Sequence, residues 1–140
     1  MRISLGYPDR ASERQLLAGL DRRDLVEHLP SLLSATELQQ LQQQVLQIHA
    51  AEPLVDYVLD LVAATRSGRW SLQGLSPRAG IAVLRAAKAQ ALLSGRNYVA
   101  PDDVQSILVQ TVAHRLIPVG DAGRGAVAQV QAMMAATPLP

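Results

Sequence analysis

Apolar positions recur with the three-to-four-residue period of helices along most of this chain. Only the opening departs from it. Residues 2–8 alternate polar and apolar side chains and stop at Gly6 and Pro8, the pattern of a short strand. A lone strand cannot satisfy its own backbone donors and acceptors, so its ladder partners are expected in another chain or in a part of the protein this sequence lacks. A frayed terminus is the alternative.

Helix signals then follow in series. Asp9 or Ser12 can cap a short helix carrying Leu16, Leu17 and Leu20. Ser34 and Glu37 form a capping box ahead of Leu38, Leu41, Val45 and Ile48 on one stripe. Glu52 and Pro53 open a third helix with Leu54, Val55, Val58, Leu61 and Val62, and residues 67–74 read as a loop. Ser76 as N-cap and Pro77 at the first helical position start a fourth helix, rich in Ala and Leu, with Gly95 as its C′ residue. Pro101, Asp102 and Asp103 open a fifth, with Val104, Ile107, Leu108 and Val112 along one face. A weaker sixth runs from Ala126 to Ala136 with Val127, Val130 and Met134. No repeat of solenoid length occurs. The expected fold is all-α: a helical bundle with a short N-terminal extended segment.

Composition narrows this further. The 140 residues suit one domain, and 49% apolar with 18% charged residues is a globular balance. Phe is absent and aromatics reach only 3%, so the core must be built from Leu, Val, Ile and Ala, which favours helices over a β-sandwich. The absence of Cys excludes a disulfide framework, a thiol nucleophile and a cysteine zinc site. No apolar run approaches a bilayer span and no signal-peptide pattern opens the chain, so no membrane partner and a cytoplasmic location are expected.

The net charge of +1 conceals segregation: residues 1–60 carry −4, residues 61–101 carry +6 without one acid, and residues 102–140 carry −1. A basic middle in a near-neutral chain points to one anionic ligand or an acidic neighbour. A solvated basic face is the alternative.

Within that segment, Arg78 falls in the first turn of the fourth helix, where the positive end of the macrodipole disfavours a cation. The placement makes physical sense if a strong anion such as a phosphate meets both. Other chemistry is sparse. No phosphate-binding glycine loop occurs, and no apolar run ends in paired acids to hold magnesium. His28, His49 and His114 lack metal-ligand spacing, and no serine sits in a recognisable nucleophile pattern. No independent catalysis is expected.

The segments RISLGYP, YVLDLVAATRS, GLSPRAGIAVLRAAKAQALLSGRNYVAPDDV and VAHRL, in this order, resemble the C-terminal lid of MoxR-type AAA+ ATPases over nearly the whole chain. That resemblance implies an ATPase parent, with ATP and magnesium as its cofactors, coupling hydrolysis in a ring to chaperone-like maturation of client proteins. It implies that Arg78 is the sensor-2 arginine, reaching the terminal phosphates. Tyr7 and Pro8 correspond to positions near the base-binding crevice, with a plain linker as the alternative. Arg66 lies near the domain junction, where a helix-end charge complementing the dipole is the favoured reading.

The family's nucleotide-binding domain is absent from this sequence, whereas the ending ATPLP resembles the family's terminus. Residues 1–8 are therefore expected to be the remnant of the last core strand and its linker, and residues 9–140 the lid. A truncated gene product, an expressed fragment and an independent lid all fit. The expected partners are the absent core domain or neighbouring ATPase subunits; for the isolated chain no cofactor is expected. Apolar surface left bare by the absent domain predicts self-association. Two other readings remain: a helical nucleic-acid-binding module using residues 66–96, which few aromatics and acidic flanks disfavour, and a plain protein-interaction bundle.

Overall fold

A computed structural model describes residues 1–19, 26, 28–119 and 125–140. Among these residues it contains six α-helices and no strand: α1 Arg10–Ala18, α2 Ala35–Gln47, α3 Glu52–Arg66, α4 Pro77–Leu93, α5 Pro101–Val112 and α6 Ala126–Ala136, with a 3-10 turn at Ala113–Arg115. The fold is all-α, as the periodicity indicates.

Helix α4 is the hub, packed against α5, α3 and α2, while α6 closes on α5 and α3. Its buried face is Ala79, Val83, Ala87 and Ala91, one small residue per turn in three of four positions. Such a face lets α5 approach closely and bring in Val104, Ile107, Leu108 and Val112, all buried. From the other side α3 contributes Leu54, Tyr57, Val58, Leu61 and Val62. Tyr57 is buried, and its hydroxyl oxygen accepts from Gln105 Nε2 at 3.3 Å.

Local chemistry sets the helix ends. Ser34 and Glu37 form the expected capping box, with Glu37 Oε2 accepting from Ser34 N at 2.7 Å and Ser34 Oγ accepting from Glu37 N at 3.2 Å. Of the two candidate caps for α1, Asp9 serves, its carboxylate accepting from Ser12 N at 2.7 Å. Gly95 has φ +72°, and both bonds of a Schellman end form: Arg96 N donates to Ala91 O and Gly95 N to Leu92 O, each at 2.9 Å.

Three expectations need correction, and the opening segment finds no ladder among the described residues: residues 2–8 are outside any strand here, as befits a strand whose partners are expected elsewhere. Arg2 N donates to Gln110 O at 2.7 Å, but no strand lies beside the segment to supply a ladder, and Leu5 and Tyr7 stand almost fully in solvent. The stripes on α1 and α2 are not core: Leu16, Leu17, Leu38 and Leu41 are exposed, and only Ile48 at the end of the second stripe is buried; Leu20 lies outside the described residues. In α6 the residue buried with Val130 is Met133, while Val127 is exposed and Met134 half-buried. Finally, Ser76 is the N-cap of α4 by backbone geometry, but its hydroxyl makes no capping bond.

Candidate functional site

The start of α4 is set by the loop before it. Ser71 is buried at a short antiparallel bridge to Pro118; its hydroxyl serves Gln73 O at 2.8 Å and Ile117 O at 3.0 Å, and accepts from Ile117 N at 3.1 Å. Leu72 N adds a bond to Ile117 O at 2.9 Å. Closer to the helix, Thr65 Oγ1 donates to Val62 O at 2.6 Å and accepts from Leu75 N at 3.0 Å. Arg66 Nε donates to Leu75 O at 2.9 Å. Arg66 therefore occupies the last turn of α3, as a dipole-complementing charge would, and also ties that turn to the loop.

The helix then opens without a side-chain cap. Pro77 at N1 has no N–H to satisfy, and the Ala79 N–H is taken by Ser76 O at 2.9 Å. The Arg78 N–H is left without an acceptor among the described residues. Its guanidinium is exposed and makes no ion pair or hydrogen bond among them either. The first turn of α4 thus presents an open amide and an unpaired cation together, and no acid lies in that turn.

Beside this terminus runs an apolar groove of about 320 Å³ between α3 and α4, lined by Val55, Leu59, Val62, Arg66, Pro77, Gly80, Ile81 and Leu84 among others. Leu59 and Ile81 are exposed along it. Tyr7 and Pro8 are exposed, and neither lines the groove.

The remaining cations of the basic segment divide by function. Arg96 forms a bidentate pair with buried Asp103, at 2.7 and 2.5 Å. Arg69 lies over the Trp70 ring at 4.6 Å, and Lys88 Nζ donates to Leu46 O at 3.4 Å. Of the six cations of that segment, only Arg78 and Arg85, seven residues apart on the exposed side of α4, have side chains without a partner among the described residues. Arg96 alone of the six is paired with an acid among the described residues, so the segment keeps five of its six charges uncompensated. No group of three potential metal ligands occurs among the described residues. His114 is exposed; desolvation first, then nearby cationic groups including Arg115 and Arg2, lowers its pKa.

Sequence reasoning passed over Thr65, Gly74, Ser71 and the Arg96–Asp103 pair. Gly74 matters for a reason only the fold discloses, its backbone lying against Arg66. A Cβ there would come within 3.0 Å of the Arg66 Cα and closer still to its Cγ. Gly74→Ala is therefore expected to destabilise the chain by about 1–3 kcal/mol, because this clash outweighs the roughly 0.4–1 kcal/mol that a stiffer unfolded chain returns. Urea denaturation checks it; a neutral or stabilised variant would refute the close approach.

The AAA lid domain family model matches residues 63–133. The chain is 32% identical over 116 residues to the uncharacterized protein YeaC of Bacillus subtilis, covering 83% of this chain and 36% of that protein. It is 32% identical over 130 residues to the chaperone MoxR1 of Mycobacterium tuberculosis, covering 86% and 34% respectively. With the protein MoxR of Paracoccus denitrificans the identity is 35% over 109 residues, covering 66% and 32%. The chain thus spans about a third of the length of these relatives. A crystal structure of a proposed ATPase from Cytophaga hutchinsonii shares the fold, with a TM-score of 0.83 at 24% identity over 100% of this chain and 46% of that one.

Proposed function

This chain belongs to the AAA lid domain family, as the lid of a MoxR-type AAA+ ATPase, and from that premise we propose that it closes over ATP in its parent and supplies Arg78 to the terminal phosphates. The observation that carries the reading is the exposed, unpaired Arg78 beside an open amide in a first turn that holds no acid. A polyphosphate end satisfies the cation, the amide and the helix dipole at once.

The rest of the machinery belongs elsewhere in the parent. The phosphate cradle, the ligands of the magnesium ion and the attacking water are assigned to the nucleotide-binding domain or a neighbouring subunit. Lid and core then move as rigid bodies about the linker, transmitting nucleotide state to a client protein whose maturation or assembly the parent assists. Tyr7 and Pro8 retain the role of linker residues near the base. The cytoplasm is the proposed setting; no helix among the described residues is long and apolar enough to cross a membrane.

Alone, the chain is expected not to hydrolyse ATP and to bind it only with a dissociation constant in the millimolar range or weaker, since one charge-assisted contact supplies about 1.5–3 kcal/mol. Isothermal titration and a phosphate-release assay test this. Micromolar affinity, or turnover by the chain itself, would contradict a lid that depends on an absent cradle.

A further inference from the structure

Two consecutive side chains in the last turn of α3 hold both polar backbone groups of a single residue. Thr65 Oγ1 accepts the Leu75 N–H at 3.0 Å, and Arg66 Nε donates to the Leu75 carbonyl at 2.9 Å. Thr65 is fully buried, and its own proton is committed to Val62 O at 2.6 Å, so its acceptor lone pair is fixed in direction. The Leu75 side chain is buried in the core as well. Leu75 is therefore pinned at its N–H, its C=O and its side chain.

Directly after Leu75 the chain enters a helix without a side-chain cap. Ser76 contributes only its carbonyl, and Arg78 stands three residues beyond the pinned position. In most helices a capping side chain fixes how the chain turns into the first turn. Here that task falls to the clasp from α3. Gly74 completes it: its missing side chain lets the backbone lie directly on Arg66. Arg66 also lines the groove beside α4, and its terminal nitrogens have no partner among the described residues.

We infer that Arg66 is a positioning residue for Arg78: by holding the Leu75 carbonyl it fixes the direction in which α4 begins and hence where the Arg78 guanidinium meets a polyphosphate. This rests on the reading of Arg78 as the phosphate contact. A displacement of about 1 Å at such a contact is enough to remove most of its effect. Lysine at position 66 reaches the same carbonyl with one flexible ammonium in place of a planar, preorganised N–H, so it restores the position only in part.

The test uses the isotopically labelled 140-residue chain with inorganic triphosphate as the probe, read by NMR at the Arg78 Nε–Hε and at the Leu75, Arg78 and Ala79 amides. In the wild type, triphosphate shifts Arg78 selectively. Arg66→Ala is expected to accelerate hydrogen exchange at the bonded Leu75 and Ala79 amides about tenfold relative to Ala87 in mid-helix. The same variant weakens the triphosphate response at Arg78 by about threefold or more, and Arg66→Lys recovers part of both. Asp103→Asn is the control for general destabilisation, since it lies beyond the far end of a helix of 17 residues. It leaves the Arg78 response unchanged.

An Arg66→Ala chain whose first-turn exchange and Arg78 response match the wild type overturns the inference. So does an equal loss at Arg78 in Asp103→Asn. If Arg66→Ala does not fold, Arg66→Lys and Thr65→Val carry the same comparison. The titration runs to roughly tens of millimolar, above the weak affinity expected of the chain alone; Arg78 shifting no more there than the equally exposed Arg85 overturns the phosphate reading itself, a different failure from a clasp that does not position.

Discussion

Replacing Asp103 by asparagine is expected to cost the chain about 2–3 kcal/mol at neutral pH, seen as a lower urea midpoint at unchanged slope and a melting temperature lower by roughly 5–10 °C. The carboxylate is buried and fully used. It accepts from Arg96 Nη1 and Nη2 at 2.7 and 2.5 Å, and Oδ2 also accepts from the Ala100 N–H at 2.8 Å, the N-cap amide of α5. Asparagine would turn an amide N–H₂ toward a guanidinium or toward that amide, donor against donor. Arg96 is 29% exposed, so water relieves part of the loss and the cost falls below that of a fully buried pair.

The same contact fixes a pH dependence. The Arg96 hydrogen bond, with a smaller contribution from Ala100, holds the Asp103 carboxyl below the ordinary carboxylate range even though burial pulls the other way. The unfolded chain then binds the proton at a higher pH than the folded one. The contribution is complete above the ordinary range and is lost as pH falls through the depressed folded value. The gap between wild type and Asp103→Asn should therefore stay constant above about pH 5 and close in more acidic solution. A difference under about 0.5 kcal/mol at pH 7, or one that survives unchanged deep into acid, would refute the assignment.

That pair also marks the boundary of what the sequence discloses. Features decided within one turn were readable: the Ser34–Glu37 box, the proline at the start of α4 and Gly95 at its end, because donor, acceptor and backbone conformation sit within a few residues. The polar contacts that hold the site are not of this kind. Arg66 meets Leu75 across nine positions, Thr65 meets Leu75 across ten and Ser71 meets Ile117 across forty-six, so only the packed fold brings them together. Charge counting misjudged the basic segment for a similar reason. The partner of Arg96 lies two residues beyond the acid-free stretch, which therefore read as more cationic than the surface it forms.

Apolar periodicity was likewise faithful about helices and silent about partners. The leucines of α1 and α2 recur as a buried stripe would, yet they stand in solvent, because periodicity records that a face is apolar and not what covers it. The alternating residues 2–8 carry strand character that only a neighbouring strand can convert into a ladder. The register of α6 turned on one methionine: Met133 and Met134 are equally apolar, and packing against α5 and α3 selects the first.

Arg78→Ala carries the other large effect, and its signature is opposite in the two properties. The side chain is exposed and unpaired, so its removal takes no contact from the fold. Alanine is the better helix former, and removing a cation from a helix N-terminus relieves the dipole, so stability should hold or rise by up to about 0.5 kcal/mol. Hydrolysis in an intact ATPase should fall, because a charge-assisted contact to a phosphate that gains charge during transfer is worth about 1.5–3 kcal/mol, or roughly 10- to 100-fold in rate. The most direct measurement joins this chain to the nucleotide-binding domain of a MoxR-type relative and compares steady-state ATP hydrolysis with and without Arg78→Ala. A loss of roughly 10- to 100-fold at undiminished stability is the expected result. Hydrolysis that continues at the unaltered rate would mean that this arginine never reaches the nucleotide.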